Sequence, residues 1–198
     1  MILASRNEHK LRELAEILPG VELRPLSPGA EMPPEDGDSF AANALIKARA
    51  AHAATGEAAI ADDSGIAAVA LGGRPGIHSA RYAGEDASDE ENLAQLLREV
   101  AAAGEERRAA YVCVVALVGE GGEEITFEGR CEGRLLMQPR GEGGFGYDPA
   151  FVPDDTGPGD ERTMAELSPA EKHAISHRGR AARLLAEHLG AGAPGAVR

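Results

Sequence analysis

The chain has 198 residues, with 33 acidic against 20 basic side chains and a formal net charge of -13. That length supports one core of ordinary size. The charge excludes a protein that coats DNA or RNA, which needs a basic face to neutralise phosphates. A small anionic ligand held by a few local charges or a metal is still allowed. The longest apolar run, Ala109 to Val118, is too short to span a bilayer. Met1 to Asn7 has no charged segment ahead of an apolar stretch, so no secretory leader is expected. Two distant cysteines, Cys113 and Cys131, without a Cys-x-x-Cys, fit a reducing cytoplasm.

In chain order, Met1 to Ala4 reads as a short buried strand. A helix capped near Asn7 follows, with Leu11, Leu14, Ile17 and Leu18 on one face and Pro19-Gly20 as its stop. Val21 to Leu26 reads as a second strand, and Ser27 to Asp38 as an acidic Pro/Gly loop. A helix is expected from Ser39 to Thr55, ended by Gly56. Ala58 to Ala61 reads as a buried strand that stops at Asp62-Asp63-Ser64-Gly65, with a further strand over Ile66 to Leu71. Gly72 to Gly76 is a turn. Ser88 to Glu91 is a capping box for a helix carrying Leu93, Leu96, Leu97 and Val100. Arg108 to Val118 and Glu123 to Cys131 form a hairpin, in which Cys113 does not face Cys131, so both read as buried thiols. Pro139 to Arg162 reads as a long loop. Ser168-Pro169-Ala170-Glu171 is a second capping box, the last helix runs from about His177 to Leu189, and residues 190–198 read as a frayed tail. Alternating strands and helices around a central hairpin imply one α/β domain, residues 1–189, on a mixed sheet.

Four segments carry candidate chemistry. Ser5-Arg6-Asn7-Glu8-His9-Lys10 joins a strand to a helix start, where free N–H groups attract anions and Lys10 adds a charge. An N-cap at Asn7 with surface charges beside it is the plainer reading. Asp62-Asp63-Ser64-Gly65 suits Mg²⁺ binding and water activation, against a simple turn cap. Adjacent acids after an apolar strand repel each other if nothing binds there, which favours the functional reading. Gly141 to Pro149 formally contains Gly-x-Gly-x-x-Gly, but no strand leads into it and Pro149 blocks the helix a dinucleotide fold requires. Phe145 either stacks on a base or plugs the core. In Lys172 to Arg178, His173 and His177 have the spacing of a zinc pair, but the Glu of His-Glu-x-x-His is missing, Ala174 standing there. A donor cluster for an anion or carbonyl, or a cationic turn, are the other readings.

Taken together, the order Ser-x-Asn-x-x-Lys, Phe-x-x-Asn-Ala-x-x-Lys-Ala, Ala-Asp-Asp-Ser-Gly, Pro-Gly-Ile-x-Ser-Ala-Arg-Tyr, Gly-Gly-Phe-Gly-Tyr-Asp-Pro and Ser-His-Arg-Gly resembles the inosine/xanthosine triphosphate pyrophosphatase family over residues 1 to about 189. The resemblance implies an elongated mixed sheet flanked by helices, two lobes with a cleft between them, a homodimer, and Mg²⁺ as cofactor. It implies hydrolysis of ITP, dITP and XTP to the monophosphate and pyrophosphate. By the same resemblance, Ser5, Arg6, Asn7, Glu8, His9 and Lys10 hold the triphosphate. Asp63 accepts the proton of the attacking water and contacts the metal with Glu35. Ser64, Phe145, Gly146, Tyr147, Asp148, Lys172, His177 and Arg178 bind the nucleotide. Ala42 departs from the Glu that often precedes the second-motif Asn.

That chemistry is coherent. Mg²⁺ neutralises a triphosphate while water attacks in line. A 6-oxo purine presents a carbonyl where adenine presents an amino group, so donors such as His177 and Arg178 favour the former. All three lysines, Lys10, Lys47 and Lys172, fall inside these motifs in a chain that otherwise uses Arg. A pyrophosphatase for another modified nucleotide and a non-catalytic nucleotide-binding regulator are the alternatives.

Overall fold

The protein is described from a computed structural model, which covers residues 1–190 apart from Arg6, Pro28 and the side chain of Glu8. The expectations for Arg6 and for the tail beyond Gly190 lie outside the described residues. Among the described residues, six strands form one sheet in the order β2-β1-β3-β4-β5-β6. They are β1 (Ile2–Leu3), β2 (Arg24–Pro25), β3 (Ala59–Ala68), β4 (Arg108–Val118), β5 (Glu124–Leu135) and β6 (Phe151–Pro153). β1 pairs in parallel with β2 and β3, while β5 and β6 are antiparallel, so the sheet is mixed. The helices are α1 (Glu8–Ile17), α2 (Phe40–Thr55), α3 (Asp89–Ala103), α4 (Pro169–Ile175) and α5 (His177–His188). None is long and apolar enough to cross a membrane among the described residues.

The chain divides into two units, each built from separated segments. The first comprises Met1–Asp63, Cys113–Gly129 and Arg178 onward; the second comprises Ser64–Val112 and Arg130–His177. In the first unit, strand residues alternate between two apolar clusters. Ile2, Ala4, Ala59, Ala61, Val114 and Ala116 pack with Ala44, Ala48 and Ala51 of α2. Leu3, Ile60, Cys113 and Val115 pack with Leu14 and Leu18 and with Ala181, Ala182 and Leu185 of α5. This is the period-2 signature of strands buried on both faces. The alanines of α2 let its backbone lie close to the sheet. Asn43 and Lys47, four residues apart, therefore sit on the same buried side of that helix.

The second unit has its own core. Leu93, Leu96, Leu97 and Val100 of α3 meet Ile66, Tyr111, Cys131, Leu135, Tyr147, Phe151 and Met164. Caps set most helix ends: Asn7, Ser39, Ser88 and Ser168 each accept from backbone N–H groups of the first turn, and Gly56 closes α2 at φ 71°. Each cap is worth about 1 kcal/mol.

Three expectations are corrected. β3 does not stop at Asp62; it runs unbroken to Ala68. The acids need no turn because each finds partners on its own face of the strand. Gly65 serves close packing rather than turning: an added Cβ meets Gly76 O and Ser79 Oγ, each at 2.4 Å. The expected long loop after Pro139 contains β6, a three-residue edge strand that pairs Leu135 with Phe151 and Gly133 with Pro153. It is too short to display a period, and Pro153 suits an edge. The second strand shrinks to Arg24–Pro25.

Candidate active site

Consecutive residues of a strand point to opposite faces, so Asp62 and Asp63 are neighbours in the chain that do not share a site. Asp62 lies on the face of α1 and α5, and its side chain is fully buried. Lys10 Nζ is 3.2 Å from Oδ2, and Arg178 donates to the same oxygen from Nη2 at 3.2 Å and Nε at 3.3 Å. Arg178 also pairs with Glu13. Burial alone would raise the Asp62 pKa, but Lys10, Arg178 and Lys47 outweigh it and hold the carboxyl well below the usual carboxylate range. Cys113 Sγ lies 3.9 Å from Asp62, and burial reinforced by that charge pushes its thiol up to about 12. It is a protonated core thiol; it and Cys131 are both buried and form no disulfide, as expected.

Asp63 lies on the α2 face. Asn43 Nδ2 donates to its Oδ2 at 3.1 Å, and Lys47 Nζ stands 4.0 Å from Oδ1. The same ammonium donates to Glu35 Oε1 at 2.8 Å. Burial raises the Asp63 pKa; Lys47 and Lys10 oppose this, Glu35 adds to it, and the net value lies above the ordinary one. Burial works against the charge on Lys47 as well, yet Asp62, Asp63 and Glu35 hold its pKa above the usual value. Asn43 also acts through its other side-chain atom. Its Oδ1 accepts from Gly37 N at 2.8 Å, which ties the acidic loop carrying Glu35 to α2. A Cβ on Gly37 would meet Asn43 Oδ1 and Ala42 Cβ, each at 2.7 Å, so this close approach requires glycine.

Asp63 and Glu35 thus converge on one cation. Among the described residues no three His, Cys, Asp or Glu side chains come together as a metal cage. A pair of hard carboxylates fits Mg²⁺, which keeps several waters and binds through one or two carboxylates plus substrate phosphates. Burial chiefly, with Glu35 adding to it, raises Asp63, and a divalent cation would oppose both.

At the start of α1, Asn7 Oδ1 accepts from His9 N at 3.0 Å and Lys10 N at 3.1 Å, and Ser5 Oγ accepts from Asn7 N at 3.2 Å. These residues fix the direction of Lys10, while the His9 side chain is exposed. Arg178 is 1% exposed, and its guanidinium pairs with Asp62 and Glu13.

The remaining candidates belong to the second unit. Phe145 is half-buried and stands outside the apolar core. Its backbone N–H donates to Asp148 Oδ2 at 2.9 Å, and Lys172 Nζ donates to the same oxygen at 2.7 Å. Lys172 Nζ also lies 4.9 Å from the Phe145 ring centroid. Gly146 N donates to Asp89 Oδ2 at 2.7 Å. Tyr147, by contrast, is a core residue whose hydroxyl donates to Ser79 O at 2.7 Å. His177 stacks flat on Tyr111, with centroids 4.5 Å apart at 5°. Ser64 is half-buried at the opening of this unit's part of β3. Ser176 is extended and separates α4 from α5, so His173 and His177 do not share a helix and the zinc spacing dissolves.

Sequence reasoning missed Glu13, Tyr111 and the double role of Asn43. The Asn43–Lys47 spacing on a helix facing the Asp63 strand was the available signal for Asn43. Glu13 and Tyr111 gave none.

Comparison with known proteins bears on this arrangement. The model of the Ham1 family matches residues 1–188. A Geobacter sulfurreducens protein named dITP/XTP pyrophosphatase is 50% identical over 195 residues, covering 96% of each chain. The solved structure of a HAM1 protein from Coxiella burnetii superposes with a TM-score of 0.86 at 41% identity, covering 96% of this chain and 98% of that one. The Ham1 protein of Staphylococcus aureus superposes at 0.84 with 40% identity, over 96% and 97% of the two chains.

Proposed function

The chain belongs to the Ham1 family, and from that premise we propose that it hydrolyses deaminated purine nucleoside triphosphates, namely ITP, dITP and XTP, to the monophosphate and pyrophosphate. The names carried by relatives that are half identical over nearly the whole chain support this substrate class. The observation that carries the chemistry is Asp63, a buried carboxylate with a raised pKa, held by Asn43 and facing Lys47 and Glu35. A general base at neutral pH needs such an elevated proton affinity.

In this reading Asp63 accepts the proton of the water that attacks phosphorus, and the bond to the departing pyrophosphate breaks. Asn43 fixes the carboxylate plane through Oδ2 and leaves Oδ1 turned toward Lys47. Lys10 binds the phosphates, with Ser5, Asn7 and the backbone around Glu8 and His9 shaping the turn that directs it. Arg178 backs Lys10 through Asp62. Asp63 and Glu35 would hold Mg²⁺, which supplies charge neutralisation on the phosphate oxygens. On the second unit, Phe145 offers a ring face to the base, and Lys172 and His177 offer donors to a 6-oxo group. We also assign a homodimer as the working form and the cytoplasm as the compartment, with no nucleic-acid partner. The two unbridged thiols and the net charge of -13 agree with the last two.

The test is to incubate the protein and Mg²⁺ with ITP, XTP, dTTP, GTP and ATP and to assay pyrophosphate. Release from ITP and XTP should exceed release from ATP by at least about a hundredfold, since buried donors facing an amino group are left unpaired. Preferential release from dTTP would replace the substrate class, and binding without turnover would make the protein a nucleotide sensor.

A further inference from the structure

Resting on the base site just assigned, we propose that Tyr111 is its positioning residue, fixing at once the imidazole of His177 and the carboxylate of Asp148. Tyr111 lies in the apolar run of β4 and is itself buried. Its hydroxyl donates to Asp148 Oδ1 at 3.1 Å. Its ring lies parallel to that of His177, and Phe151 abuts it edge-on, with centroids 4.8 Å apart at 60°.

The placement is not what packing alone demands. A phenylalanine would fill the same apolar volume without burying a hydroxyl, a group that costs stability unless it is hydrogen-bonded. The hydroxyl meets that need at Asp148. The other oxygen of Asp148 accepts from the Phe145 amide and from Lys172. With donors on both oxygens, the carboxylate cannot rotate without breaking a bond. Its orientation in turn sets where the Lys172 ammonium and the Phe145 backbone stand. The flat stack holds the plane of the His177 ring, and so the plane in which its nitrogens can meet a ligand. Tyr111 touches no substrate in this scheme; it acts through three groups that do.

A positioning role on the base side predicts a loss confined to ligands that carry a base. Calorimetric affinities for IMP and for pyrophosphate would be measured on wild type, Tyr111→Phe and Tyr111→Leu, with melting curves as a check of folding. Tyr111→Phe removes only the bond to Asp148 and should weaken IMP by about three- to tenfold. Tyr111→Leu also removes the stack and should weaken it by more than about tenfold. Pyrophosphate affinity should stay within about twofold in both, because it lacks a base. If Tyr111→Leu does not fold, Tyr111→Phe decides alone. Equal losses for IMP and pyrophosphate would make Tyr111 a structural residue only, and unchanged IMP affinity would remove it from the site; either overturns the proposal. If wild type binds IMP yet releases no pyrophosphate from ITP, the reaction proposed above fails while this base site stands. If wild type does not bind IMP, the base site and this proposal fall together.

Discussion

Asp62 and Asp63 are the same residue, adjacent, on one strand and almost equally buried, yet their proton affinities move in opposite directions. The difference lies in what each face of β3 brings. Asp62 meets Lys10 and Arg178 within 3.3 Å; Arg178 is buried and Lys10 half-buried. On the other face Asn43 donates to Asp63 and Lys47 stands 4.0 Å away, with Glu35 holding the closer place on that ammonium, while Lys10 lowers the Asp63 pKa as well. Burial costs both carboxylates the same kind of hydration. At Asp62 the neighbouring cations outweigh that cost, whereas at Asp63 the net shift stays upward. In the proposed mechanism the strand thus separates two functions one residue apart: an ion-pair anchor on one face and a reactive acid on the other.

Breaking the comparison at Asp63 should have the largest effect. Asp63→Asn keeps the shape and the Asn43 contact region but removes the proposed proton acceptor, so turnover of ITP should fall by about 10²- to 10⁴-fold. Steady-state pyrophosphate release reads this directly, and a variant that kept wild-type turnover would remove Asp63 from the mechanism. Breaking it at Asp62 should act on the fold instead. Asp62→Asn leaves Arg178 and Lys10 without their shared counter-ion, and loss of one partner from a buried pair costs about 3–5 kcal/mol. Urea unfolding at neutral pH measures that loss. A change below about 1 kcal/mol would mean that Glu13 alone suffices for Arg178.

These contrasts were only partly legible in the sequence. Helix boundaries were, because Asn7, Ser39, Gly56, Ser88 and Ser168 act locally and their capping geometry follows from residue type. The candidate residues around β3 were also legible as a set, from acids, lysines and glycines that local structure does not require. Their division between two faces was not. β3 is apolar on both sides, so Ala-Ile-Ala-Asp-Asp shows no alternation from which to assign faces. Mutual repulsion of adjacent acids presupposes a shared site, and strand geometry points them to opposite faces. Pairing between Asp62 and Arg178 spans 116 residues, and nothing local at either end announces it. Tyr111 was hidden for a related reason: inside an apolar strand, its hydroxyl looks like any core aromatic until Asp148 is seen beside it.

The pH dependence of stability sharpens the comparison at a smaller scale. The Asp62 carboxyl is depressed, so its contribution is present above the unfolded carboxylate value of about 3.9 and is lost as pH falls toward its folded value. Wild type should therefore lose stability steeply below about pH 4, and Asp62→Asn, already destabilised, should lose it less steeply. Urea midpoints at several pH values between neutral and acid test this, and parallel curves would deny Asp62 its share of the acid limb.

The smallest expected effect is the most discriminating. Asp63 is shifted the other way, so its contribution is present at low pH and is lost as pH rises through the raised folded value. Wherever Asp63 is ionised, its charge is a net cost to the fold, imposed by burial and by Glu35. Asparagine removes that charge and still leaves Lys47 bonded to Glu35 at 2.8 Å. Asp63→Asn should therefore be more stable than wild type at pH 7, by about 0.5–2 kcal/mol, as removal of a strained functional group commonly is. Its advantage should shrink on acidification, as wild-type Asp63 takes up its proton. Thermal melts of the two proteins across that range would show a gap that closes toward acid. A variant less stable than wild type at neutral pH would mean that Lys47 holds Asp63 as firmly as Arg178 and Lys10 hold Asp62, and the two faces of β3 would then be alike.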